Sequence, residues 1–189
     1  MNQTETSLPN RYVIEDKHFS SDDKFVITDA DGNVHYKVDS TLFVLGDKLT
    51  LYDAVGNELI RIRQEKLHLH PTYNIYSIRR DAEETQLASV KRTGSLTQRK
   101  LEISTSNGDY LMENRGGPFS REFLLKKDDS IVAFVTKDTT PLKDTFWVEI
   151  ANGTEEYHAF IMALIIVLSC AQRLPGNPLA TPHQGNIKV

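Results

Sequence analysis

The sequence has one cysteine among its 189 residues. A single cysteine cannot form a disulfide bond within the chain, which excludes the small disulfide-stapled scaffolds of secreted proteins. Cys170 also lies inside a long apolar segment, and this position favours an inert buried thiol over a reactive one. Thiol chemistry is therefore a poor candidate for the function of this chain.

Neither a secretory signal nor a large excess of charge of one sign is present. The first ten residues lack the basic and apolar stretches of a signal peptide, so we expect an intracellular, cytoplasmic protein, with the nucleus or the membrane periphery as alternatives. Lysine and arginine number 22 against 26 acidic residues, for a formal net charge of −4. This balance argues against binding to nucleic acid through bulk charge.

Catalytic and metal-binding motifs are also missing. The sequence has neither a Gly-x-Ser-x-Gly nucleophile turn nor a Gly-x-x-x-x-Gly-Lys phosphate loop. His68-x-His70 could place two imidazoles on one face to bind a metal, but the sequence supplies no further ligands to complete a zinc site. The alternative is that these histidines only mark a position where a strand leads into a loop. In Asp29-x-Asp31-Gly32 the glycine comes too early for a calcium loop, which favours a hairpin turn. We expect no enzymatic activity, no cofactor and no metal.

A single run from Ala159 to Ala171 is uncharged and apolar on every face of a helix. Such a helix must be buried in protein or lipid, but about 13 residues span roughly 20 Å against roughly 30 Å for a bilayer core. The run therefore predicts a buried core helix and no transmembrane span, with a tail anchor or interfacial segment as the alternative. The predicted central side chains are Phe160, Ile161, Leu164, Ile165 and Leu168.

The remaining chain, from Tyr12 to Ile150, reads as about a dozen short strands separated by turn residues. Two hairpin units form an internal repeat, in which Asp29 matches Asp53 and Asn33 matches Asn57. Such spacing is typical of an all-β barrel or sandwich, and a barrel of this size can enclose the apolar helix. We expect one domain over residues 12–174, with flexible ends at residues 1–11 and 175–189.

Several segments together resemble the LURP-one-related family over about residues 12–174. The matching segments are Tyr12-Val13-Ile14, Phe25-Val26-Ile27-Thr28-Asp29, Leu45-Gly46-Asp47-Lys48-Leu49, His70-Pro71-Thr72-Tyr73, and Lys143-Asp144-Thr145-Phe146-Trp147-Val148-Glu149-Ile150 before the apolar run. The resemblance implies the tubby C-terminal fold, thought to be shared with phospholipid scramblases: a mainly β, closed antiparallel barrel of about twelve strands around a central helix. It implies no established catalytic chemistry. Family members are associated with plant defence, and tubby relatives with phosphoinositide-dependent membrane tethering and transcriptional regulation.

Arg61 and Arg63 are the candidate binding residues, with Lys66 close by in the sequence. They alternate with Ile60 and Ile62, so both arginines project outward if the isoleucines face the lumen. The pair is similar in kind to the basic pair with which tubby domains hold a phosphoinositide headgroup; the alternative is a solvated strand face. We therefore expect a binding or scaffold protein that contacts phosphoinositide or an anionic membrane surface.

A second expectation is a protein-interaction or transcription-related regulatory module without a lipid ligand. Such a module would use the loops at the barrel ends or residues 175–189. Lipid scrambling is disfavoured, because the apolar run is short for a bilayer and the sequence offers no convincing calcium loop.

Overall fold

Twelve strands and one helix make up the computed structural model, which describes residues 10–17, 25–41, 48–65, 72–79, 83–94, 100–117, 119–141, 143–152 and 157–172. The strands are β1 (Arg11–Lys17), β2 (Phe25–Asp29), β3 (Val34–Thr41), β4 (Lys48–Asp53), β5 (Glu58–Glu65), β6 (Thr72–Ser77), β7 (Thr85–Thr93), β8 (Lys100–Thr105), β9 (Tyr110–Arg115), β10 (Glu122–Lys127), β11 (Ser130–Thr139) and β12 (Lys143–Ile150). Helix α1 spans His158–Gln172. The flexible ends expected at residues 1–11 and 175–189 fall almost wholly outside these residues and stay predictions.

The strands form a closed antiparallel barrel in which each strand pairs with its neighbours in the sequence. The ring closes between β1 and β12, where Val13 lies opposite Trp147 and Asp16 opposite Asp144. Every strand is therefore hydrogen-bonded on both sides, and no edge is left to pair with another chain. The closed barrel around a C-terminal helix confirms the predicted fold.

The internal repeat forms two matching turns. The carboxylate of Asp29 accepts hydrogen bonds from the backbone N–H groups of Asp31, at 3.0 Å, and Asn33, at 2.9 Å. The carboxylate of Asp53 accepts the equivalent bonds from Val55, at 3.0 Å, and Asn57, at 2.8 Å. Because these carboxylates hold their own turns, the hairpin interpretation of the first unit is confirmed.

Helix α1 lies inside the barrel. All its residues from Ala159 to Gln172 are buried, and the predicted central side chains are 0 to 7% exposed. The inward side chains of all twelve strands join them in one apolar core. The buried-helix prediction is confirmed, and the tail anchor is wrong, because the barrel interior supplies the apolar surroundings that a membrane would otherwise provide.

The structure has no helix, among the residues that it describes, that is long and apolar enough to cross a membrane.

Polar contacts at the C-terminal end of α1 fix its depth in the lumen. The Ser169 hydroxyl donates to Asp16 Oδ2 at 2.7 Å, and Lys137 Nζ donates to Gln172 Oε1 at 2.8 Å. Lys137 Nζ also lies 2.9 Å from Asp144 Oδ2, with both side chains less than a tenth exposed. An apolar helix offers no preferred face by itself, so these directional bonds select its position.

We predict that Ile165→Asp prevents stable folding, because Ile165 is fully buried and the new carboxylate would be placed in an apolar core. The free energy of unfolding should fall by about 4 kcal/mol or more. Chemical denaturation followed by circular dichroism measures this loss. Ile165→Val is the matched control and should cost about 1 kcal/mol; a folded Ile165→Asp protein of near wild-type stability would contradict the buried helix.

We predict that Lys137→Met destabilises the protein by about 3–5 kcal/mol, since it leaves the buried Asp144 carboxylate without its ion pair. Lys143→Met is the control, because Lys143 forms a largely solvated ion pair with Glu15 and its loss should cost less than about 1 kcal/mol. If the two variants lost the same free energy of unfolding in urea denaturation, burial would not be what sets the strength of these ion pairs.

Candidate functional site

The outer face of the barrel holds the candidate binding residues, because α1 occupies the lumen. On β5, Ile60 and Ile62 point inward and are at most 1% exposed. Arg61 and Arg63 alternate with them and are 20% and 41% exposed at the side chain. The structure thus places the two arginines on one outer face. Lys66, His68 and His70 lie outside the described residues.

The two guanidinium groups converge on one carboxylate, that of Glu84. Arg63 Nη2 donates to Glu84 Oε2 at 2.6 Å, and Arg61 Nη1 donates to the other oxygen, Oε1. Arg61 also donates to Glu58 Oε2 at 2.8 Å. The Arg63 guanidinium stands over the Tyr76 ring, 4.8 Å from its centre. The pair therefore has the geometry to grip an anionic group, and in the structure that group is Glu84.

The charges at this position are balanced. Two arginines face two glutamates, so the site presents little net positive charge to solvent. An incoming phosphate must compete with Glu84 for both guanidinium groups. Sequence reasoning found the arginines from their alternation with isoleucine, but it missed Glu84, because that residue approaches from the start of β7 through the barrel's strand pairing.

A second outer surface lies across β1, β11 and β12, and sequence reasoning missed it. Trp147 is 55% exposed in the middle of β12, between Val13 on β1 and Thr136 on β11. Phe134 lies on the same face, two residues before Thr136 on β11. We call Val13, Phe134, Thr136 and Trp147 the Trp147 surface. The signal available in the sequence was an aromatic residue at the outward position of Phe146-Trp147-Val148.

The Trp147 surface lines an open cavity of about 350 Å³. Its lining residues are Arg11, Tyr12, Val13, Ala30, Phe134, Thr136, Trp147, Val148 and Glu149. An exposed ion pair lies at its rim, where Arg11 is 3.5 Å from Glu149. An apolar centre within a charged rim is the usual composition of a protein interface.

Tyrosine and histidine side chains surround the start of α1. The Tyr12 hydroxyl lies 2.9 Å from His158 Nδ1, and His35 Nε2 lies 3.0 Å from Asp29 Oδ2. Burial raises the pKa of Tyr12 and lowers the pKa of His158, so both are held neutral. Hydrogen bonds from Asn33 and His35 lower the pKa of Asp29. The start of the helix is therefore held by a hydrogen bond between two neutral groups, Tyr12 and His158, while the neighbouring Asp29 stays an ionised carboxylate.

Comparisons with known proteins give a matching family model and several similar relatives. A model of the LURP-one-related family matches residues 10–169. Protein LURP-one-related 10 of Arabidopsis thaliana is 27% identical over 166 residues, which cover 81% of this chain and 84% of that protein. The uncharacterized Bacillus subtilis protein YxjI is 29% identical over 155 residues, which cover 82% and 89% of the two chains.

A solved structure of an Arabidopsis thaliana protein has the same fold. It superposes with a TM-score of 0.59 and 22% sequence identity, and the match covers 88% of this chain and 94% of that chain. At this level of identity the likeness concerns the fold alone. The family resemblance drawn from the sequence segments is confirmed by the family match.

We predict that His158 makes stability fall with acidification. Its pKa is lowered in the folded state by burial, so below the ordinary value near 6.5 the unfolded chain binds a proton that the folded chain resists. The stability contribution is therefore complete above about pH 6.5 and decreases as the pH falls below it. The measurement is the difference in unfolding free energy between wild type and His158→Gln across this range; a difference that is constant with pH would contradict the prediction.

Proposed function

The chain belongs to the LURP-one-related family, and from this membership we propose that it acts as a binding or scaffold protein rather than as an enzyme. The observation that carries the proposal is the complete burial of α1 from Ala159 to Gln172 inside the barrel. Because the lumen is filled by the chain's own side chains, a ligand binds on the outer face. The function then depends on which outer surface binds a partner and on the chemical class of that partner.

The first candidate partner is a phosphoinositide or another anionic lipid surface, contacted by Arg61 and Arg63. In support, both guanidinium groups meet at one carboxylate, and a phosphate group has similar oxygen geometry and more charge. Arg63 also remains 41% exposed, so an anion can approach it from solvent. The contact is peripheral, because it uses side chains on the wall of the barrel.

We predict that Arg61→Gln/Arg63→Gln weakens binding to vesicles of phosphatidylcholine containing phosphatidylserine or a phosphoinositide by about 30-fold. Each basic residue near an anionic surface contributes about 1 kcal/mol, and two such losses correspond to that factor. Co-sedimentation at physiological salt measures it, with pure phosphatidylcholine vesicles as the baseline. Glutamine keeps hydrogen-bonding capacity toward Glu84 while removing the charge.

The matched control is Arg115→Gln/Arg121→Gln, which removes the same charge from exposed positions on another part of the barrel. This control should bind as the wild type does. Equal binding by the Arg61/Arg63 variant and the wild type would refute the assignment of the site, and failure of the wild type to bind anionic vesicles would refute the lipid partner.

The second candidate is a protein-interaction or transcription-related regulatory module without a lipid ligand. The neutralisation of Arg61 and Arg63 by Glu58 and Glu84 favours it, because a lipid-binding patch gains from unpaired positive charge. The loops at the barrel ends and residues 175–189 are its proposed contact regions. The vesicle experiment separates the two candidates, since this module should show no preference for anionic lipid.

A further inference from the structure

A third basic side chain, that of Lys48, lies beside the arginine pair on the neighbouring strand. On the ladder between β4 and β5, Lys48 is directly opposite Arg63, and the Cβ atoms of such a pair are about 5 Å apart on one face of the sheet. Leu49 points into the core, so its neighbour Lys48 must point outward. Lys48 is exposed. The outer wall therefore carries three adjoining cations, of which Arg61 is the third.

The charge of Lys48 is not compensated by the residues around it. Arg61 and Arg63 are paired with Glu84, whereas Lys48 makes no ion pair within the part of the chain that the structure describes. Like charges that lie directly opposite each other on neighbouring strands repel. An anion seated between Lys48 and Arg63 removes that repulsion.

Glu84 is the anion that the arginines hold when no ligand is bound. Its Oε1 accepts from Arg61 and its Oε2 from Arg63. Glu84 comes just before β7, outside the strand, and its side chain is 26% exposed. It can therefore turn into solvent without breaking a ladder hydrogen bond. Because it belongs to the same chain, its effective concentration at the arginines is on the order of millimolar.

An external anion replaces Glu84 only if it binds the arginines more strongly than a carboxylate does. A phosphodiester carries one negative charge, as the carboxylate does, and gains no charge advantage from the exchange. A phosphomonoester carries a charge of about −1.5 to −2 at neutral pH and has three terminal oxygens. It can bind both guanidinium groups and still offer an oxygen to Lys48.

Building on the proposed contact of the arginine pair with anionic lipid, we propose that Lys48 joins Arg61 and Arg63 in a phosphomonoester site. Glu84 is the resident competitor of this site, and it selects against singly charged anions. A lipid headgroup and a free sugar phosphate present the same phosphomonoester chemistry, so both are tested as sources.

Vesicle co-sedimentation of the full-length protein at physiological salt tests the role of Glu84. One set of phosphatidylcholine vesicles contains phosphatidylinositol 4-phosphate, which has a phosphomonoester, and the other contains phosphatidylglycerol, a phosphodiester, at equal total headgroup charge. The wild type should bind the first set more tightly by about fivefold, the equivalent of one further charge contact. Glu84→Gln should bind the phosphatidylglycerol vesicles about fivefold more tightly than the wild type does, so the preference should shrink.

Lys48→Gln tests the third cation in the same assay. It should weaken binding to the phosphatidylinositol 4-phosphate vesicles by about fivefold. The matched controls are Lys143→Gln on β12 and Glu122→Gln on β10, because both strands are five positions from β5 around the ring and both side chains reach solvent. Neither control should change binding. A change in Glu122→Gln as large as that in Glu84→Gln would overturn the competitor role, because net charge would then explain both.

Titration calorimetry with soluble inositol 4-phosphate distinguishes the two sources of the phosphomonoester. Equal affinity for this compound and for the vesicles identifies a free phosphate ester as the ligand, whereas much tighter vesicle binding identifies the lipid. In both cases Glu84→Gln should strengthen binding and Lys48→Gln should weaken it. If the wild type binds both anionic vesicle sets equally and neither substitution changes this, the phosphomonoester site is overturned while the proposed lipid contact stands. If neither the wild type nor Glu84→Gln binds any of these probes, both are overturned.

Discussion

Burial of the α1 side chains inside the barrel is the interaction on which the rest of the structure depends. A fifteen-residue helix is only marginally stable by itself in water. Because this helix is apolar on all faces, it must also be buried, and the barrel strands form the wall around it. The inward side chains of twelve strands provide that wall. The wall in turn needs the helix, because a barrel of this size is wide enough to leave its lumen open unless something fills it.

Polar contacts at the two ends make this burial specific. His158 faces Tyr12 where the helix begins, and Ser169 and Gln172 bond to Asp16 and Lys137 where it ends. These bonds add directional constraints to an apolar interface that has none. They also place ionisable groups in the core, where each must be neutral or paired because an isolated buried charge is unstable.

Because α1 fills the lumen, a partner must bind on the outside of the barrel. Both proposed kinds of partner, lipid and protein, therefore contact outward-facing side chains. The outer positions of β5 and β12 alternate with buried ones, so each strand contributes one side chain in two to the surface. On β5 these positions carry arginines that are already neutralised by glutamates. On β12 they carry an indole with mixed charges around it. The same alternation that builds the core thus generates two outer surfaces of different chemistry.

The sequence by itself determined the strands, the turns and the fate of the helix. Three local features carried this information: the alternation of apolar and polar residues, the Asp-Gly and Gly-Asn turns, and the length of the apolar run. Each depends on residues close together in the chain, which act through backbone geometry and burial. Only the tertiary structure decided which distant residues meet. Glu84 reaches Arg61 and Arg63 because β7 pairs with β6 and β6 with β5, and Val13 meets Trp147 because the ring closes. Such contacts depend on register between strands far apart in the chain, which local pattern does not encode.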